Sequence, residues 1–270
     1  MLDIRNVTKA FNPGTINEVR ALRGIDLAID DGDFVCVIGS NGSGKSTLLN
    51  AVAGAFPLDA GRIAIDGIDV TRRPTHRRAA LIGRVFQNPF QGTAPNMSIA
   101  ENLALAALRG KHRGLGWALS KKLVERIRER VRLLGMDLEN RLDNEIGSLS
   151  GGQRQALTLL IATWQKPHIL LLDEHTAALD PKSANLVVQT TKEIIEREQQ
   201  TTLMVTHSMH QASNLGDRLI MMHRGRVIRD FSGAQKQRLR SDDLLEIFEE
   251  VRQHEQLDES AAELLRASYV

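Results

Sequence analysis

Cysteine is nearly absent, since Cys36 is the only one in 270 residues. No disulfide framework and no cysteine-based metal site can form, which fits a reducing cytosol. Long apolar runs are missing as well. No window approaches the roughly 18 uninterrupted apolar residues of a membrane span. The opening MLDIRNVTKAFNPG carries Asp3 and Arg5 where a secretory signal would need a continuous hydrophobic stretch. The expectation is a chain that is soluble by itself. Charge of one sign is not in excess: 35 Lys and Arg against 33 Asp and Glu leave a formal net charge of +2. That is too little to make nucleic acid the default partner. Internal repeats and low-complexity segments are also lacking.

What is present is globular in balance. Hydrophobic residues make up 42% and charged residues 25%, values that argue against disorder as the main state. The length suffices for one large domain with an inserted or appended lobe. Short alternating or apolar runs at 2–7, 22–29, 34–38 and 63–65 predict strands, with Asp31-Gly32 as a hairpin turn signal between two of them. After Gly44 the pattern becomes helical through Ala55. Apolar residues at three- and four-residue spacing in 98–109 and 121–134 predict a mostly helical insertion from about 88 to 148. Alternation then resumes: strand 168–172, helix 183–199, strand 202–206, a short helix, and strands 218–223 and 226–231. Strands alternating with helices imply a mainly parallel sheet covered by helices. From Ser241 the chain is acidic and helix-favouring, with Leu244, Phe248 and Val251 on one face. That pattern reads as a helical appendage packed on its own domain, in preference to a partner-binding tail.

The apolar strand FVCVI runs into GSNGSGKST, which satisfies G-x-x-x-x-G-K-[ST] with Gly39, Gly44, Lys45 and Ser46. Glycines let backbone N–H groups curl around phosphate oxygens, and the following helix presents its N-terminus to the anion. Lys45 can reach the β and γ phosphates, and the Ser46 hydroxyl can ligate Mg²⁺. The cradle is Gly39, Ser40, Asn41, Gly42, Ser43, Gly44, Lys45, Ser46 and Thr47. A second stretch, LLLDEHTAALD, brings a buried strand up to Asp173 and Glu174. A carboxylate at the phosphate edge of a parallel sheet is how P-loop NTPases hold Mg²⁺, which gives Asp173 that role. Glu174, one residue further on, is the candidate general base for the water that attacks the γ-phosphate. Upstream stands LSGGQ, residues 149–153. Ser150 is a good N-cap there, and Gly151 and Gly152 offer free N–H groups at a second anion-binding helix terminus. One ATP needs only one such terminus per molecule, so the second invites a dimer in which each protomer completes the other's site.

This ordered set resembles the nucleotide-binding subunit of an ABC transporter over about residues 1–230. The resemblance implies a P-loop NTPase core with a mainly parallel sheet, an antiparallel β subdomain and an inserted α-helical subdomain. The ATPase domain would span 1–240 with the helical subdomain at about 88–165, and 241–270 would be the C-terminal helical appendage. It further implies that Gln87 in VFQNP is the Q-loop glutamine, touching Mg²⁺ and the attacking water. His207 in MVTHS is the switch histidine, and Asp180 closes the D-loop. Ser150, Gly151, Gly152, Gln153 and Asp180 would act in trans across a homodimer closed around two ATP. The remaining implied partners are Mg²⁺, transmembrane permease subunits and, indirectly, a solute-binding protein, at the cytoplasmic face of the cell membrane. No nucleic acid is expected.

Two positions depart from the family pattern. The adenine-stacking aromatic, usually tyrosine, corresponds to Phe11 in KAFNPG, which keeps the π-face; ordinary core is the other reading of Phe11. His175 stands where the family usually has proline. It is either a tolerated turn substitution or an imidazole that bonds across the dimer or near the acid. Two basic stretches, 72–78 and 109–113, read as solvated loops, with lipid headgroups or an acidic partner surface as the alternative. Cys36 reads as a small buried apolar residue. The functional expectation is the ATP-hydrolysing subunit of a bacterial solute importer, with amino-acid uptake suggested by the wording of FQNPFQGTAPNMSIAENLALA and DEHTAALDPK. The rivals are an ABC ATPase acting on ribosomes or DNA, and a nucleotide-binding module without turnover.

Overall fold

The computed structural model describes residues 1–110 and 119–251. Its strands are β1 (Leu2–Phe11), β2 (Val19–Ile29), β3 (Phe34–Gly39), β4 (Ala60–Ile65), β5 (Ile68–Asp69), β6 (Ile82–Val85), β7 (Ile169–Asp173), β8 (Thr202–Val205), β9 (Arg218–His223) and β10 (Arg226–Ser232). The α-helices are α1 (Lys45–Ala53), α2 (Thr75–Arg78), α3 (Ile99–Ala107), α4 (Lys121–Arg132), α5 (Gly151–Thr163), α6 (Pro181–Glu198), α7 (Met209–Asn214) and α8 (Gly233–Arg238). A further helix starts at 241 and reaches 251, the last described residue.

Two sheets result. Four antiparallel strands in the order β2-β1-β4-β5 form one, and six strands in the order β10-β9-β3-β8-β7-β6 form the other. Within the second, β10 is antiparallel to β9 and all other neighbours are parallel. The central parallel strands FVCVIG and TLMV are buried at every position, as strands covered on both faces must be. The turn at Asp31-Gly32 forms, with Asp33 N–H donating to Asp30 C=O at 3.2 Å, but it joins no hairpin. β2 pairs with β1 and β3 pairs with β8 and β9, so the chain crosses there from one sheet to the other.

One core lies between the two sheets and takes in Leu48, Leu49 and Val52 of α1. A second covers the opposite face of the parallel sheet with Ile194 and Ile195 of α6, Ala212 of α7 and the fully buried Leu244 of the terminal helix. Ile247 and Phe248 pack against this core; the expectation for 252–270 falls outside the described residues. The helical lobe has its own core of α3, α4 and α5 side chains, including Ile99, Leu103, Ile127, Val131 and Leu157, closed by Trp164.

The helix expected through Ala55 stops at Ala53, because Gly54 takes the left-handed C-cap at φ 76°. The basic stretch 72–78 is not wholly a solvated loop. Arg78 is buried and donates to the carbonyls of Ala51 (2.8 Å), Val52 (2.7 Å), Thr71 (3.1 Å) and Arg73 (2.8 Å). In the second stretch Arg109 donates to Ala162 C=O at 3.0 Å, and 111–113 lie outside the described residues.

Candidate functional site

The phosphate-loop motif begins where β3 ends and α1 begins. Gly44 is the N-cap of α1 at φ 100°, a backbone region open to glycine and strained for other residues. A Cβ at Gly44 would also stand 2.4 Å from Ala21 C=O, and one at Gly39 2.3 Å from Met222 C=O. The loop is thus pressed against β2 and β9. Lys45 is 5% exposed and donates to Gly39 C=O (2.8 Å) and Ser40 C=O (3.0 Å). Burial lowers its ammonium pKa, and the nearby Glu174 and Asp173 carboxylates oppose that shift.

β7 delivers the two acids. Ser46 Oγ donates to Asp173 Oδ1 at 3.5 Å, so the start of α1 and the end of β7 meet at this pair. Glu174 lies at φ 46°, a left-handed conformation unusual for a residue other than glycine. Its N–H donates to Val205 C=O at 3.0 Å, and His207 Nε2 lies 2.6 Å from Glu174 Oε1. The turn holding His207 is braced by a chain of side chains. Thr206 Oγ1 donates to Gln211 Oε1 at 2.9 Å, and Gln211 Nε2 donates to Thr176 Oγ1 at 3.0 Å.

An open cavity of about 390 Å³ joins these groups, lined by Asn41, Gly42, Ser43, Gly44, Lys45, Ser46, Thr47, Glu174 and His207, with Phe11, Val19 and Ala21 along one side. Phe11 is 36% exposed and meets Phe56 edge to face at 5.3 Å. It is therefore at the cavity rim, outside the core. A larger depression of about 600 Å³ around Phe56, Pro57 and Arg73 carries none of the motif side chains.

Some expected site residues are not brought to this cavity. Gln87 is exposed in the bend after β6 and is not among the lining residues. Residues 150–153 and Asp180 line no part of it either. Ser150 caps α5, accepting from Gln153 N–H at 3.3 Å while Gln153 Oε1 accepts from Ser150 N–H at 3.2 Å, a reciprocal box that fixes the helix start. Gly151 is exposed. Gly152 is buried, and a Cβ on it would fall 2.8 Å from Ser183 Cβ, so α5 and α6 need glycine to approach this closely. Asp180 caps α6, accepting from Ser183 N–H at 3.0 Å, and hydrogen bonding from the Ser183 hydroxyl and N–H holds its carboxyl below the usual carboxylate range.

His175 does not face the cavity. It is 2% exposed, with Nε2 3.1 Å from Thr191 Oγ1 on α6, and burial lowers its imidazole to about 4. Cys36 is fully buried with its thiol pushed up to about 12. A residue that sequence reasoning passed over is Arg84 on β6, which donates to Asn50 Oδ1 (2.7 Å) and Asp173 Oδ2 (3.3 Å). The available signal was a lone cation in the short run IGRV, just ahead of VFQNP.

A profile of the ABC transporter family matches residues 22–177. The chain belongs to the ABC transporter family. This ABC cassette is 42% identical over 254 residues to the tyrosine transport ATP-binding protein of Clostridioides difficile, covering 92% of this chain and 99% of that one. It is 32% identical over 240 residues to the energy-coupling factor transporter ATP-binding protein EcfA2 of Clostridium tetani, covering 87% and 80%. Among solved structures it resembles the dimeric, post-hydrolysis ATP-binding cassette MJ0796 bound to ADP and Pi, at 31% identity and TM-score 0.73, covering 86% of this chain and 98% of that one. The cassette is accordingly an ATPase of the P-loop fold, and no helix among the described residues is long and apolar enough to cross a membrane.

Proposed function

We propose that two copies of this chain close head to tail around two Mg-ATP molecules and drive a bacterial importer of an amino acid. Support for the cargo class is the 42% identity to a tyrosine transport ATP-binding protein; the ATPase itself does not touch the cargo. The Phe11 ring stacks on adenine, the 39–47 loop and Lys45 hold the phosphates, and Ser150, Gly151, Gly152, Gln153 and Asp180 reach the same nucleotide from the second copy. Ser46 Oγ and Asp173 Oδ1 are hard oxygen donors side by side at the start of α1. That chemistry fits Mg²⁺, which commonly uses one or two carboxylates and completes its shell with phosphates and water. When bound, the ion neutralises phosphate charge. Gln87, carried by the segment between the sheet and the helical lobe, links the phosphate end to the face that receives the permease. A solute-binding protein would signal through that permease.

The observation that carries hydrolysis is the Glu174–His207 contact of 2.6 Å at a cavity shared with Lys45 and Ser46. His207 steadies one carboxylate oxygen, and Glu174 accepts the proton of the water that attacks the γ-phosphate. A phosphate-release assay on Glu174→Gln checks this: turnover should fall about 100-fold or more, with ATP binding intact and the ATP-bound dimer accumulating. Retention of most of the turnover would remove Glu174 as the base. The transport assignment is checked by isolating the chain from membranes and identifying the permease that accompanies it. Recovery only with ribosomes or DNA would overturn it.

A further inference from the structure

Arg84 is the one cation on β6, and the strand's alternation sets where it points. Ile82 and Leu171 belong to the core between the two sheets, whereas Val85, Leu170 and Leu172 belong to the core on the other face. With Arg84 registered beside Leu171, period-two alternation places Arg84 and Asp173 on the same face as α1. A charged residue on an edge strand commonly serves to keep that edge in water. Arg84 does not, because its side chain is 17% exposed and lies against Asp173, itself 15% exposed. Its Nε is buried without a hydrogen-bond partner among the described residues, a cost that simple packing would avoid.

The guanidinium joins three parts of the site. One nitrogen donates to Asn50 Oδ1 on α1 at 2.7 Å and to Asp173 Oδ2 at 3.3 Å. Asp173 Oδ1, the other oxygen, faces Ser46 Oγ. The plane of Arg84 lies over the Phe86 ring, with Cζ 4.5 Å from its centroid. Phe86 C=O in turn accepts from Gln155 Nε2 on α5 at 3.1 Å, the helix that Ser150 opens.

We propose that Arg84 is a positioning residue of the nucleotide site: it holds Oδ2 of Asp173 so that Oδ1 stays turned to Ser46. Through Phe86 it also ties that carboxylate to the segment carrying Gln87. This rests on the reading of Ser46 and Asp173 as the Mg-ATP pair. Arginine suits the task because its planar guanidinium can stack on a ring while a terminal nitrogen, with two hydrogens, bonds both acceptors; lysine has no planar group to stack.

The test is equilibrium binding of a fluorescent ATP analogue to the purified full chain, titrated with Mg²⁺ and repeated in EDTA. In Arg84→Met the half-saturating Mg²⁺ concentration should rise about tenfold, the usual scale for losing a group that orients a metal ligand. Affinity in EDTA should stay at the parental value. On an Asp173→Asn background the same substitution should add no further shift, because the carboxylate it orients is gone. Asn50→Ala, which keeps the arginine and removes its anchor, should move the midpoint in the same direction and supplies the comparison if Arg84→Met does not fold. An unshifted or lowered midpoint, an equal weakening in EDTA, or a full additional shift on the Asp173→Asn background would each overturn the proposal. A parental chain whose nucleotide binding ignores Mg²⁺ would instead remove the underlying reading, and the role of Arg84 with it.

Discussion

At the scale of single residues, His175 shows how a position directly after the Asp173–Glu174 pair can belong to the core. Thr191 Oγ1 gives its one hydrogen to Val187 C=O at 2.7 Å, so it must accept from His175 Nε2–H at 3.1 Å. That bond fixes the neutral ring with its proton on Nε2. Burial lowers the folded-state pKa from 6.5 to about 4. Above pH 6.5 the ring is neutral whether the chain is folded or not, and it adds no pH dependence. As the pH falls from 6.5 toward 4 the unfolded chain takes up a proton that the folded chain refuses, and stability drops by an amount on the order of 3 kcal/mol. In His175→Leu the acid limb of stability between pH 7 and 4.5 should be flatter, read from denaturant midpoints at each pH. An unchanged slope would show that the imidazole titrates in the fold. Thr191 keeps its bond to Val187 in that variant, so no donor is stranded. The adjacent acids were legible in the sequence because a P-loop and a strand ending in carboxylates state their chemistry locally. The roles of His175 and Arg84 were not, since each depends on a partner brought close by packing: Thr191 sixteen residues away and Asp173 eighty-nine away.

Elements were legible to the extent that their signals were local. Buried runs such as ILLLD and helices with periodic apolar faces stood out. β6 did not, because IGRV is four residues long with one glycine and one cation, and only its pairing with β7 makes it a strand. The turn at Asp31-Gly32 misled for a related reason, since a turn signal says that the chain bends and not which strands then pair. The C-terminal end of α1 depends on a distant residue in the same way. A helix leaves its last carbonyls without partners and with partial negative charge. Arg78 covers those of Ala51 and Val52, and it also reaches Thr71 and Arg73. Arg78→Met should therefore destabilise the chain by about 2–4 kcal/mol, because several buried acceptors lose their donor together. Arg78→Lys should recover only part, as an ammonium cannot fork to the same set. Urea unfolding of the three proteins measures this. Equal midpoints for the parent and Arg78→Met would mean that water or a rearranged loop satisfies those carbonyls.

For the whole molecule, the decisive geometry is the separation of the 39–47 loop from the start of α5 within one chain. The cavity at Lys45 and Glu174 includes none of 150–153, while α5 presents a capped N-terminus with an exposed glycine at Gly151. If each site is shared between copies, damage to its two halves must complement in one direction only. Lys45→Ala disables the phosphate loop and Ser150→Arg disables the opposing helix end, so each homodimer should be inactive. In a mixed dimer one site receives both lesions and the other receives neither. Mixing the two variants in equal amounts under exchange conditions should make about half the dimers mixed, each with one intact site. Phosphate release should then recover to roughly a quarter of the parental rate when the two sites turn over independently. A site built within one chain predicts no recovery at any mixing ratio, because every P-loop and its own helix end would remain joined to one lesion. Covalently linked mixed dimers separate this outcome from failed exchange. A linked Lys45→Ala/Ser150→Arg pair that is silent, beside an active linked parental pair, would overturn the shared site itself.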